Sequence, residues 1–241
     1  QAYGQQDPLV AYKREAHDMW GQLQGNIRNR IVRSIYHVEI APQARPQPTA
    51  PPVTIATQPG VTEANAASLH DDAVAVLSGW EPRDAGSRAV QEVLRDDYLA
   101  FLAAHDDAMW RACVDGHLTA SAIVVAADRE SVLLTLHPKF DRWLQMGGHC
   151  EPGDAGLRDA AAREALEESG IAGLELSAVP VRLDRHRVGC HGGSWHLDVQ
   201  FVALAPADAE HVISDESLEL RWWPVDALPD LSDVQVIVRT P

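Results

Sequence analysis

Apolar residues recur along this chain in two rhythms, and the places where each appears mark its organisation. Val10, Ala16, Met19, Trp20, Leu23, Ile27, Ile31 and Ile35 are spaced mostly by three and four residues, which predicts an amphipathic helix within residues 7–40. Asp7 and Pro8 supply a cap and a first-turn proline, whereas Gly21 and Gly25 weaken the helix locally. Across residues 41–60 the rhythm is lost. Six prolines (Pro42, Pro46, Pro48, Pro51, Pro52 and Pro59) fall there, and Arg45 is the single charge. That composition predicts a linker, which a weakly patterned stretch extends to about Leu77.

Compact patterning resumes at Ser87. Val90, Val93, Leu94, Leu99, Phe101 and Leu102 predict a helix, and residues 110–113 a short second element. Alternating or continuous apolar runs predict strands at 118–126 and 131–136, joined by the turn Asp128-Arg129-Glu130. Later strands are expected at 179–183, 196–204 and 218–223, with an Ala/Glu-rich helix at 157–169 between them. Strands gathered around one such helix predict an α/β or α+β sandwich. The organisation expected is therefore a helical segment (1–40), a linker (41–77) and a main domain (78–241), the last able to fold and act without the rest.

Charge narrows the function. The chain of 241 residues carries a net charge of −15, unevenly placed: residues 60–241 hold 14 basic and 31 acidic side chains. A domain this acidic repels a nucleic-acid backbone, so no polymer partner is expected, whereas a small phosphorylated ligand bound through a cation fits. No run of about 18 apolar residues predicts a membrane span. The opening Gln1-Ala2-Tyr3-Gly4 is neither basic nor apolar, so no signal peptide is expected. Three scattered cysteines, Cys113, Cys150 and Cys190, build no disulfide framework, which fits a reducing cytoplasm.

The chemistry concentrates in Gly147-Gly148-His149-Cys150-Glu151-Pro152-Gly153-Asp154 and the helix that follows, with Arg163-Glu164-Ala165-Leu166-Glu167-Glu168-Ser169-Gly170. At about 100° per residue, Glu164, Glu167 and Glu168 share an arc of about 100° on that helix. Three carboxylates so close repel one another unless a cation compensates. Mg²⁺ suits the task, because it prefers oxygen ligands and keeps water and substrate phosphate in its shell. Arg163 stands ready to neutralise or orient a neighbouring carboxylate. Glycines before the helix let backbone carbonyls come close, and Gly170 reads as its stop.

These residues resemble the Nudix box: Gly, five residues, Glu, seven residues, then Arg-Glu-aliphatic-x-Glu-Glu-x-Gly-aliphatic. The match runs from Gly148 to Ile171. It departs in three places: Asp154 replaces the first glutamate, eight residues rather than seven separate it from Arg163, and Ala165 replaces a larger aliphatic. The resemblance, over about residues 110–230, implies a Nudix-type α/β/α sandwich with a mixed sheet, and hydrolysis of a nucleoside diphosphate linked to another moiety. It further implies Glu167 and Glu168 as main Mg²⁺ ligands, with Mn²⁺ as a substitute, Glu164 as a further ligand or as a residue that supports one, and the Gly148 carbonyl as another ligand. Outside the box, Glu216 is the candidate base, with Glu219 or a box residue as alternatives. Lys139 and Arg142 are candidate phosphate contacts, and Trp222 a candidate base-stacking residue, since Trp222 and Trp223 point to opposite faces of a strand. His186, His191 and His196 fit no metal motif by spacing and read as exposed strand-end residues, with contact to substrate phosphates as the alternative. Cys150 lacks the partners of a nucleophile.

Residues 1–40, especially Tyr3-Gly4-Gln5-Gln6-Asp7-Pro8 and Tyr12-Lys13-Arg14-Glu15, resemble the two-helix-finger region near the C-terminal end of SecA, the preprotein-translocating ATPase. No Gly-x-x-x-x-Gly-Lys-Ser/Thr loop occurs, so the motor is absent. The apolar stripe of this helix is expected to self-associate, giving a homo-oligomer. Two function classes follow: a hydrolase with an N-terminal appendage, or a nucleotide-binding or docking module. Intact Glu164, Glu167 and Glu168 favour the first.

Overall fold

The computed structural model describes residues 63–138, 142–189, 193–214 and 217–229, with side chains from Leu69 onward. The helix read within 7–40 and the proline-rich stretch lie outside the described residues. Two strands that pair only beside their turn set the plan of the sheet. β1 (Gly116–Val125) and β2 (Ser131–His137) meet antiparallel at Val124↔Leu133 and Val125↔Val132, then part. Into the gap run β3 (Arg142–Leu144), paired with β2, and β4 (Met146–His149), paired with β1. On its other side β1 runs parallel to β7 (Ser194–Leu204), from Gly116↔Trp195 to Val125↔Leu204. β5 (Glu175–Leu176) and β6 (Arg182–Val188) add antiparallel to β7, and β8 (Glu219–Pro224) to β2. The sheet is mixed, as the resemblance implies.

Alternation along the strands sorts the side chains onto two faces. Leu118, Ala120, Ala122 and Val124 of β1, with Leu197, Val199, Phe201 and Ala203 of β7, form the main core. Three helices cover it: α1 (Glu63–Gly79), α2 (Arg88–Ala104) and α3 (Leu157–Ser169). On the opposite face Val125, Val132, Leu134, Trp143 and Val202 make a second apolar cluster. The rest of that face is buried and polar, with His117, Thr119 and Ser121 on β1 and Asp198 and Gln200 on β7.

α1 lies inside the stretch read as linker, and corrects that reading over residues 63–77. Leu69, Ala73 and Leu77, four residues apart, are at most 1% exposed, and just beyond them the Trp80 Nε1–H donates to the Pro180 carbonyl at 2.6 Å. The signal was thin, because its stripe is only two leucines and an alanine. α2 forms where expected, but on a different face. Val90 and Val93, counted in the predicted stripe, are exposed, while Gln91, Tyr98 and Leu102 are buried. Gln91 completes the sheet edge. Its Nε2 donates to the Leu183 carbonyl at 3.0 Å and its Oε1 accepts from the Leu183 N–H at 2.7 Å. The Tyr98 hydroxyl donates to the Asp184 carbonyl at 2.7 Å. Residues 110–113 form turns rather than a regular element, and β6 starts three residues later than predicted. No helix among the described residues is long and apolar enough to cross a membrane.

Candidate active site

α3 is fixed at both ends. The Leu157 N–H donates to Asp72 Oδ2 of α1 at 2.8 Å, which sets a carboxylate at the positive end of the helix. At the other end Gly170 takes φ 68° and donates its N–H to the Leu166 carbonyl at 2.8 Å, the stop the sequence anticipates. Between them the buried face is small: Ala160, Ala161 and Ala165 are fully buried. Ala165, one of the three departures from the box pattern, therefore packs in the core beneath the sheet.

That close packing places the carboxylates. A Cβ at Gly148 would lie 2.7 Å from Glu164 Oε1, so a larger residue there would push the end of this side chain away from β4. Gly147 N–H donates to Glu168 Oε1 at 3.3 Å, and Glu168 is buried. Glu167 differs, with more than half of its side chain exposed. Arg163 ties the group together. Its Nε and Nη2 take the two oxygens of Asp154 at 3.0 and 3.1 Å, a bidentate pair. Nη1 donates to Glu164 Oε1 at 3.1 Å and Glu167 Oε2 at 3.0 Å, and Nη2 also reaches the His149 carbonyl at 2.8 Å. Asp154 in turn accepts the Glu151 N–H at 2.7 Å. Burial alone would lower the pKa of Arg163, but the Asp154 hydrogen bonds and the Glu164 charge outweigh it and raise the pKa, so the guanidinium stays protonated. The residue added between Asp154 and Arg163 costs nothing here, since the two still meet.

The structure thus sets Gly148, Arg163, Glu164, Glu167 and Glu168 beside one another. It does not draw the three glutamate oxygens to one point, because Arg163 Nη1 stands between Glu164 and Glu167. Other candidates lie elsewhere. Arg142 is on β3 opposite His137, and Trp222 is on β8 opposite Leu133, packed against the main core. Trp223 faces the second cluster, edge-on to Trp143 at 5.2 Å, so the two indoles do take opposite faces. Glu219 accepts from Arg221 Nε at 2.9 Å. Lys139, Glu216, Cys190 and His191 lie outside the described residues. Cys150 is buried; burial first, then the Asp154 charge, pushes its thiol up to about 12, so no thiolate forms near neutrality.

One feature escaped the sequence reading. Asp198 is buried and accepts from Thr119 Oγ1 at 3.0 Å, Ser121 Oγ at 2.7 Å and Gln200 Nε2 at 3.0 Å. Burial, only partly offset by the Ser121 bond, raises its pKa. Around it stand His117, His149, His186 and His196, and of those read as strand-end residues His186 and His196 are half-buried here rather than exposed. The signal lay in the alternation: polar residues at 117, 119 and 121 and at 196, 198 and 200 interrupt two strands that are otherwise apolar.

Comparison with known proteins bears on these arrangements separately. Residues 1–39 match the SecA Wing and Scaffold domain, and the SecA translocase subunit of Hyphomonas neptunium is 45% identical over 53 residues. That stretch is 21% of this chain but 6% of the translocase subunit. A hydrolase of the Nudix family from Clostridium perfringens is 24% identical, over 49% of this chain and 88% of that one, with a TM-score of 0.39. The dihydroneopterin triphosphate pyrophosphohydrolase of E. coli is 20% identical over 48% and 88%, also at 0.39. The Nudix domain model matches residues 116–238, from the first residue of β1 to beyond β8. Spanning just over half of the sequence, that match makes this chain a member of the Nudix hydrolase family.

Proposed function

We propose that this chain hydrolyses a phosphoanhydride bond in a nucleoside diphosphate linked to another moiety, with Mg²⁺ as its cation and Mn²⁺ as a substitute. The observation that carries this reading is the packing of the Glu164 carboxylate against Gly148, where a Cβ would stand 2.7 Å from Oε1. With Glu168 on the neighbouring Gly147 N–H, it sets one buried and one half-buried carboxylate against adjacent residues of β4. This is an all-oxygen donor set, suited to a hard cation. Glu167, Glu168 and Glu164, with the Gly148 carbonyl, would hold Mg²⁺, which when bound polarises the pyrophosphate and lowers the pKa of water. Arg163 is a positioning residue: it fixes Glu164 and Glu167 through one nitrogen and braces them on Asp154. Glu216 would accept the proton of the attacking water, with Glu219 as the alternative. Lys139 and Arg142 would meet phosphate oxygens, and Trp222 a base. The acidity of the domain makes a small ligand the partner rather than a nucleic acid. We assign the chain to a reducing cytoplasm, on its free thiols Cys113 and Cys150.

The test is a panel of nucleoside di- and triphosphates, dinucleoside polyphosphates and nucleotide sugars, assayed with Mg²⁺ for phosphate or pyrophosphate release. Turnover of at least one compound is expected. Tight binding of a nucleotide by folded protein without turnover of any would replace the hydrolase by a nucleotide-binding module.

A further inference from the structure

The polar face of the sheet carries a second, chemically different ligand set. In the parallel β1–β7 ladder His117 is the partner of His196, and across β6–β7 His196 is the partner of His186. His149 pairs with Thr119, two residues along from His117 and therefore on the same face. Three separate strands thus bring imidazoles together, which no sequence spacing reveals. One ring nitrogen each from His117, His149 and His196 lies within 4.8 Å of the others. Their ring centroids are 4.7 to 5.0 Å apart. We propose that His117, His149 and His196 bind a transition-metal cation of the Zn²⁺, Co²⁺ or Ni²⁺ class, at a site separate from the glutamates.

Chemistry selects this ligand over a phosphate. His117 is wholly buried, and His196 Nε2 is buried with no hydrogen-bond partner. A neutral imidazole offers a lone pair to a metal but no charge to an anion. Imidazole suits Zn²⁺, Co²⁺ and Ni²⁺, whereas Mg²⁺ favours carboxylates such as those of α3. At Zn–N distances of about 2.1 Å the nitrogens of a tetrahedral site stand about 3.4 Å apart, so small ring rotations close the set. His186 stands beside it, 5.4 Å from His196, with Nδ1 held by Asp184 Oδ2 at 3.0 Å. Three protein ligands leave a fourth position for water or a ligand. Because alternate residues of β4 face opposite ways, the ion would pin β4 to β1 and β7 one residue beyond Gly148.

The experiment uses the full chain, free of any affinity tag, stripped with chelator and titrated with Co²⁺ in excess Mg²⁺. One equivalent should bind with the visible absorption of nitrogen-ligated Co²⁺, and Zn²⁺ should displace it. His196→Gln should weaken this binding at least 100-fold, while Glu167→Gln leaves it unchanged. X-ray absorption of the Zn²⁺-loaded unmutated chain needs no variant, and imidazole scattering around the ion is the expected result. An oxygen-only shell, no stoichiometric Co²⁺ binding, or equal affinity in His196→Gln would overturn the site.

Discussion

Glu167→Gln and Glu168→Gln should each lower turnover by about 10²-fold or more, the loss that follows removal of one preorganised electrostatic group. In energy this is about 3 kcal/mol of transition-state stabilisation. Both variants should still fold. Glu167 is exposed and shares Arg163 Nη1 with Glu164, so its neutralisation relieves crowding and leaves Arg163 two other carboxylates. Glu168 is buried and accepts the Gly147 N–H, a bond its amide can still accept if the oxygen keeps its place. Steady-state kinetics with thermal unfolding on the same samples reads both effects. Activity like that of the unmutated chain in both variants would remove these residues from the mechanism.

A chain cut to residues 78–241 should lose most of its stability, whereas one cut to 63–241 should retain it. Deleting α1 removes Leu69 and Leu77 from the core, and such losses cost about 2–5 kcal/mol each. It also removes Asp72, whose bond to the Leu157 N–H caps the helix that carries the glutamates, for about 1 kcal/mol more. Against a typical domain stability of about 5–15 kcal/mol, that sum is decisive. That outcome would set the boundary of the working unit near Glu63 rather than Ser78. Denaturant melts of the two truncations decide it, and equal midpoints would return α1 to the status of a linker.

How much of this the sequence disclosed depends on how far apart the cooperating residues lie. The Gly148–Ile171 stretch could be read directly, because the Gly turn, α3, Arg163 and the three glutamates are local, and helical spacing alone gathers the carboxylates. The role of Asp154 was legible only as a retained charge, since its bidentate pairing with Arg163 depends on how the loop closes. α1 was missed because two leucines and an alanine beside a proline-rich stretch make a weak stripe, and its partner surface is supplied by α2 and α3. On α2, counting Val90 and Val93 as core failed because Gln91 is buried instead, held by both backbone groups of Leu183, 92 residues away. The histidine set is the extreme case. His117, His149 and His196 come from three strands, and only the register of the sheet makes them neighbours.

Hydrolysis of the best compound of the nucleotide panel in ¹⁸O-labelled water tests the central claim most directly. If the α3 glutamates and their cation direct water onto phosphorus, one of the two phosphoryl products should carry the label. Its formation should require Mg²⁺ and should fall about 10²-fold in Glu167→Gln. Products formed without label, or labelled equally well in Glu167→Gln or in excess chelator, would contradict it.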